Sequence, residues 1–121
     1  MLNKTILIGR LTADPELRYT PNGVAVSNFT LAVDRAYKKD ETDFIDCVAW
    51  RKAAEALASN MQRGCMVAVD GRLEIDKWET DEGQTRRKAK VQADNIRFIT
   101  WPDESKEQLD DIEISQDDAP F

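Results

Sequence analysis

Apolar and polar residues alternate with a period of two along most of the chain, the signature of strands that bury one face. Lys4 to Leu11 (KTILIGRL) is the first such segment. Glu16 to Tyr19 continues extended, and Thr20-Pro21-Asn22-Gly23 then supplies turn chemistry: proline presets φ, and Asn-Gly tolerates positive φ. Val24 to Arg35 is a long strand with Phe29, Leu31 and Val33 on one face. Asp43 to Trp50 sets Phe44, Asp46, Val48 and Trp50 against Ile45, Cys47 and Ala49. A closed sheet buries only one side, so the face carrying Asp46 is expected to lie outward. The period changes once. Arg51 to Met61 places Ala53, Ala54, Leu57, Ala58 and Met61 on one stripe, which predicts a short amphipathic helix with Gly64 placed to end it. Met66 to Leu73 returns to strand, and Asp81-Glu82-Gly83 divides Glu74–Thr80 from Gln84–Ile99 as a hairpin.

The order is therefore three strands, one short helix, and two strands ending in a long hairpin. Gly9 and Gly71 each interrupt a strand and are each followed by Arg and Leu, the kind of position where a sheet bends into a barrel. This all-β order fits a five-stranded OB-fold Greek-key barrel with the helix between strands three and four, an order that other small all-β folds share. Charge divides the chain of 121 residues. Residues 1–101 carry 16 Lys+Arg against 15 Asp+Glu, whereas residues 102–121 carry one Lys against eight acids. The expected organisation is a nearly neutral folded domain over 1–101 and a disordered acidic tail over 102–121.

Composition excludes several chemistries. The chain has no histidine, which removes His-based triads and His-ligated metal sites. Its two cysteines, Cys47 and Cys65, form no CxxC pair, which points to a reduced intracellular compartment rather than a disulfide framework or a zinc ribbon. Met1-Leu2-Asn3-Lys4 leads straight into a strand, without the pattern of a signal peptide, and no apolar run reaches the roughly 20 residues of a membrane helix. Asp14, Asp34 and Asp46 read as solvated carboxylates rather than metal ligands. No nucleophile stands beside a base, so no catalytic residue, metal or cofactor is expected and the chain reads as a non-enzyme.

The aromatics carry a different signal. Tyr37 lies in a polar stretch beside Lys38 and Lys39, Trp78 near a hairpin tip beside Lys77, and Phe44 and Trp50 on the face that carries Asp46. Exposed rings among cations suit single-stranded nucleic acid, since each base stacks on an aromatic plane for about 1–3 kcal/mol while cations follow the phosphates. The same rings would also serve as partly buried barrel residues. The cations available for phosphates are Lys4, Arg18, Lys38, Lys39, Arg51, Lys52, Arg63, Lys77, Arg86, Arg87 and Lys88, with Arg86-Arg87-Lys88 the densest group. The chain ends Asp117-Asp118-Ala119-Pro120-Phe121, an acidic peptide with a terminal ring and carboxylate suited to dock in an apolar pocket with a basic rim.

Several segments together resemble the bacterial and phage single-stranded DNA-binding protein family. They are Asn3–Leu11, Asp14–Gly23, Phe29–Val33, Val48–Glu55, Val69–Leu73 and the terminal Asp-Asp-Ala-Pro-Phe, closest in phrasing to the Gram-positive branch and its phages. The resemblance implies an OB barrel assembled as a homotetramer, bases stacked on Tyr37, Phe44, Trp50 and Trp78, and a C-terminal tip that recruits replication, recombination and repair proteins. It implies action on DNA in the bacterial cytoplasm, from a host or a phage gene. An OB-fold adaptor of primosome or recombination type, working through protein contacts, is the alternative.

Overall fold

Strands form where the period-two segments predict them. In the computed structural model, residues 1–38 and 40–102 are described; Lys39 and residues 103–121, including the tip Asp117–Phe121, lie outside them. The elements are β1 (Thr5–Leu11), β2 (Glu16–Tyr19), β3 (Ala25–Asp34), β4 (Thr42–Trp50), α1 (Arg51–Asn60), β5 (Met66–Glu79) and β6 (Thr85–Phe98). β1 pairs antiparallel with β5 over Thr5–Arg10, and with β3 at Arg10 and Leu11. β3 pairs with β4, and β5 with β6. A short parallel seam, Cys47 beside Val91 and Val48 beside Gln92, joins β4 to β6. These pairings close β1, β5, β6, β4 and β3 into a ring, so the fold is the expected five-stranded OB-type barrel. β2 is a sixth strand, added on the outside of β3.

The inward positions make the core. Leu31, Cys47, Ala49, Val67, Val69 and Val91 are buried within the ring, together with Leu11 and Phe29. The helix contributes Ala54 and Leu57 from its stripe, and the following Met61 completes the cover against β3 and β4. Gly64 does not end this helix. Met61, in extended conformation, caps it by donating its N–H to the Leu57 carbonyl, and Gly64 instead shapes the next turn at φ +90°.

Two hairpins use one turn design. In Thr20-Pro21-Asn22-Gly23 and in Thr80-Asp81-Glu82-Gly83, the threonine N–H bonds the carbonyl four residues on, and its hydroxyl accepts that residue's N–H. The glycine, at φ +82° or +80°, donates its N–H back to the threonine carbonyl. A side chain at that φ would be strained. At Gly71 the constraint is space. The β5–β6 register shifts between Asp70 and Gly71, and a Cβ there would collide with the Gln92 carbonyl oxygen. This close approach lets one continuous β5 leave the barrel wall and run into the hairpin.

Candidate nucleic-acid interface

The hairpin beyond Gly71 and the outer face of β3 and β4 form the two walls of a groove. The groove encloses about 400 Å³ and is lined by Asn28, Thr30, Asp46, Val48, Asp76, Lys88 and Lys90 among others. Strand register fixes what each wall presents. On the barrel wall, Thr30 lies opposite Asp46 and Ala32 opposite Phe44. On the hairpin wall, Trp78 lies opposite Arg86, Asp76 opposite Lys88 and Glu74 opposite Lys90. Alternation sends Lys77 and Arg87, which also face each other, to the other side of the hairpin.

Side chains tie the walls together. The Trp50 indole donates Nε1–H to Gln92 Oε1 at 2.8 Å, and Lys88 Nζ stands 2.7 Å from Asp46 Oδ2. The other Asp46 oxygen accepts the Thr30 hydroxyl at 3.0 Å. The bond from Lys88 holds the Asp46 carboxyl below its ordinary range, and Asp46 in turn raises the Lys88 ammonium. Lys90 sits 2.9 Å from Asp76 and 3.6 Å from Glu74, and its pKa is raised chiefly by the bond to Asp76. Beneath the groove, burial pushes the Cys47 thiol up to about 12, so it stays protonated and unreactive at neutral pH.

Every aromatic singled out by the sequence is exposed: Tyr37 by 100%, Phe44 by 68%, Trp78 by 48% and Trp50 by 41%. Phe44 and Trp50 share the outer face of β4, and Trp78 stands on the hairpin. Tyr37 is apart from them, in the loop between β3 and β4. That loop is braced by Arg35, whose guanidinium reaches Asp43 at 3.0 Å and Glu41 at 2.9 Å.

The cations divide similarly. Arg18 faces Val26 across β2–β3, and Val26 faces Trp50 across β3–β4, so Arg18 and Trp50 stand in one lateral row. Arg51 and Lys52 line a second hollow of about 770 Å³ that begins at Trp50 and includes Asn22, Gly23 and Asp94. Arg51 enters the helix at φ +59°, a left-handed conformation that carries strain in a residue other than glycine. Arg86 joins Trp78 on the groove side. Lys4 is held 2.7 Å from Asp70, on another part of the barrel. Arg63 lies in the turn after α1, where its backbone N–H donates to Asp14. Lys38 is exposed beside Tyr37, and Lys39 lies outside the described residues.

Sequence reasoning missed Gln92 and Lys90. The run Arg86, Lys88, Lys90, Gln92 at a period of two was the available signal, obscured by the adjacency of Arg86, Arg87 and Lys88. The three aspartates considered as ligands are engaged otherwise: Asp14 by Arg63, Asp34 by the Thr42 hydroxyl at 2.8 Å, and Asp46 by Thr30 and Lys88. Among the described residues, no group of three or more His, Cys, Asp or Glu could hold a metal ion, and no helix is long and apolar enough to cross a membrane.

These features define an OB-type barrel with an outer groove lined by polar and charged side chains, with exposed aromatic rings on the strands that flank it. The chain belongs to the single-strand binding protein family, whose model matches residues 2–99. It is 50% identical over 103 residues to a single-stranded DNA-binding protein of Oceanobacillus iheyensis, covering 82% of this chain and 64% of that one. It is 48% identical over 103 residues to single-stranded DNA-binding protein A of Bacillus subtilis, covering 82% and 60%. With single-stranded DNA-binding protein 2 of Clostridium acetobutylicum the identity is 44% over 125 residues, covering 98% and 94%. The match thus spans about three fifths of the Oceanobacillus and Bacillus proteins and nearly all of the Clostridium one.

Proposed function

We propose that this protein binds single-stranded DNA with little regard to sequence, and that it does so by stacking and charge rather than by chemistry on the strand. The observation that carries this reading is the exposure of Phe44 and Trp50 on the outer face of β4 and of Trp78 on the facing hairpin, with Arg18, Arg51 and Lys52 near Trp50 and Arg86 opposite Trp78. A base laid on each ring gains about 1–3 kcal/mol from a π-face that every base possesses, so stacking discriminates little between sequences. Duplex DNA hides those faces. Cations on the approaches displace counterions from the phosphates, which makes the affinity fall with salt. Tyr37 and Lys38 extend the same surface to a strand passing over the β3–β4 loop. The family membership and the names of the relatives support the same reading.

The wider proposal includes three further parts. The barrel assembles as a homotetramer. The terminal Asp117–Phe121 recruits replication, recombination and repair proteins. The protein acts on DNA in the cytoplasm of a bacterium, whether the gene is the cell's own or a phage's.

Tryptophan fluorescence tests the core of the reading. Titration with oligo(dT) at low salt should quench the emission strongly, matched duplex should quench it less, and added salt should reverse the effect. Trp101 supplies a background signal, since it packs edge-on against Phe98 at the end of β6 away from the hairpin. Absence of quenching at low salt would favour an adaptor that works through protein contacts.

A further inference from the structure

The groove has an unexpected charge arrangement. Its two lysines, Lys88 and Lys90, are already neutralised by carboxylates of the same groove: Asp46 at 2.7 Å, Asp76 at 2.9 Å and Glu74 at 3.6 Å. The backbone places these pairs: Glu74 lies opposite Lys90 in the hairpin register and Asp76 lies diagonal to it, while Lys88 meets Asp46, which reaches across from β4. The side chain of Lys90 is only 27% exposed, so the Lys90 pair is shielded more than an ordinary surface bridge. Arg18, Arg51, Lys52 and Arg86 form no salt bridge with another described residue.

Resting on the single-strand reading above, we infer that Asp46, Glu74 and Asp76 act as internal phosphate surrogates. They occupy Lys88 and Lys90 and so limit both the affinity for the strand and its dependence on salt. A phosphate entering the groove would have to break an existing ion pair and would meet the carboxylate left behind. The backbone of the strand is therefore directed to the cations at the edges, and the bases turn toward the barrel wall, where Asn28 and Thr30 offer polar groups. Fewer counterions are released than a count of lysines and arginines predicts.

The test is a salt series of binding isotherms, using the full chain and fluorescently labelled oligo(dT). Glu74→Gln together with Asp76→Asn keeps the shapes and frees Lys90. One new phosphate contact steepens the slope of log affinity against log salt by about 0.7, so the variant loses about 2.6-fold more affinity than the parent between roughly 50 and 200 mM salt. Adding Asp46→Asn frees Lys88 and doubles the change in slope. Adding Lys90→Met to the Glu74→Gln, Asp76→Asn variant returns the slope to the parent value. Unaltered melting temperatures would show that the variants stay folded.

If the parent binds and the Glu74→Gln, Asp76→Asn variant has the same slope, the surrogate role is overturned while the single-strand reading stands. A steeper slope that survives Lys90→Met would also overturn it, because a general change in charge would then explain the gain. If neither parent nor variant binds oligo(dT) at low salt, both readings fall.

Discussion

The two halves of β5 are held in place by different forces. In the first half, Val67, Ala68 and Val69 are buried between β1 and β6 and contribute through apolar packing. In the second half, Leu73, Ile75 and Trp78 are exposed, and the strand has β6 as its pairing partner. Order there comes from the cross-strand ladder, the Thr80–Gly83 turn, and the Trp50–Gln92 and Lys88–Asp46 bridges back to the barrel. One strand thus changes from a wall that supports the fold to an arm that presents a surface. Gly71 stands at the change. Apolar residues left exposed on a stable ladder are free to serve binding, whereas the same residue types inside the ring are committed to stability.

Substitutions along this one strand can break or sharpen that contrast. The largest effect is expected at the boundary. Gly71→Ala drives a methyl group into the backbone at Gln92, where nothing flexible can yield, and should cost about 3 kcal/mol and lower the melting temperature by roughly 10 °C or more. Next comes a matched pair. Val69→Ala, at a position with no exposure, should cost about 2 kcal/mol in chemical denaturation, while Ile75→Ala, at 49% exposure, should cost less than about 1 kcal/mol. Equal costs would mean that the hairpin is as much a part of the core as the wall is. The smallest effect on folding belongs to Trp78→Ala, which should melt like the parent yet bind oligo(dT) roughly tenfold more weakly, the equivalent of about 1.4 kcal/mol of lost stacking. If Trp78→Ala melted as low as Val69→Ala, the division of the strand would fail.

Much of this architecture was legible in the sequence because period and turn chemistry are local. The alternation in Asp43–Trp50 separated the exposed Phe44 and Trp50 from the buried Cys47 and Ala49, although Val48 on the outer side is also buried. Thr20-Pro21-Asn22-Gly23 and Asp81-Glu82-Gly83 marked the two hairpin turns, while the part played by Thr80 in the second emerged only from its hydrogen bonds. What the sequence withheld depends on register between strands far apart in the chain. Arg86-Arg87-Lys88 looks like one cluster, but alternation places Arg87 on the far side and pairing occupies Lys88 with Asp46. Gly64 looked like a helix end because it follows the helical stripe by a few residues. The cap at Met61 superseded it, leaving Gly64 to shape the following turn and donate its N–H to the Leu11 carbonyl. The period-two run puts Gln92 on the same face as Lys88 and Lys90, but its importance rests on meeting Trp50 across the β4–β6 seam, which no local pattern shows.

That seam also bears on how the chain folds. Most of the ring is assembled from antiparallel partners, and β3–β4 and β5–β6 are joined by short connections and are available early. The parallel seam is only two residue pairs long, and it unites β4 with a strand that follows the helix and the whole of β5. Forming it requires closure of a long loop before much contact is gained, which raises the contact order and slows the search. The hairpins can therefore exist before the barrel does. Trp50 and Gln92, which meet across the seam, come together only when β4 and β6 do, so the groove takes its shape with that closure and with neither hairpin alone.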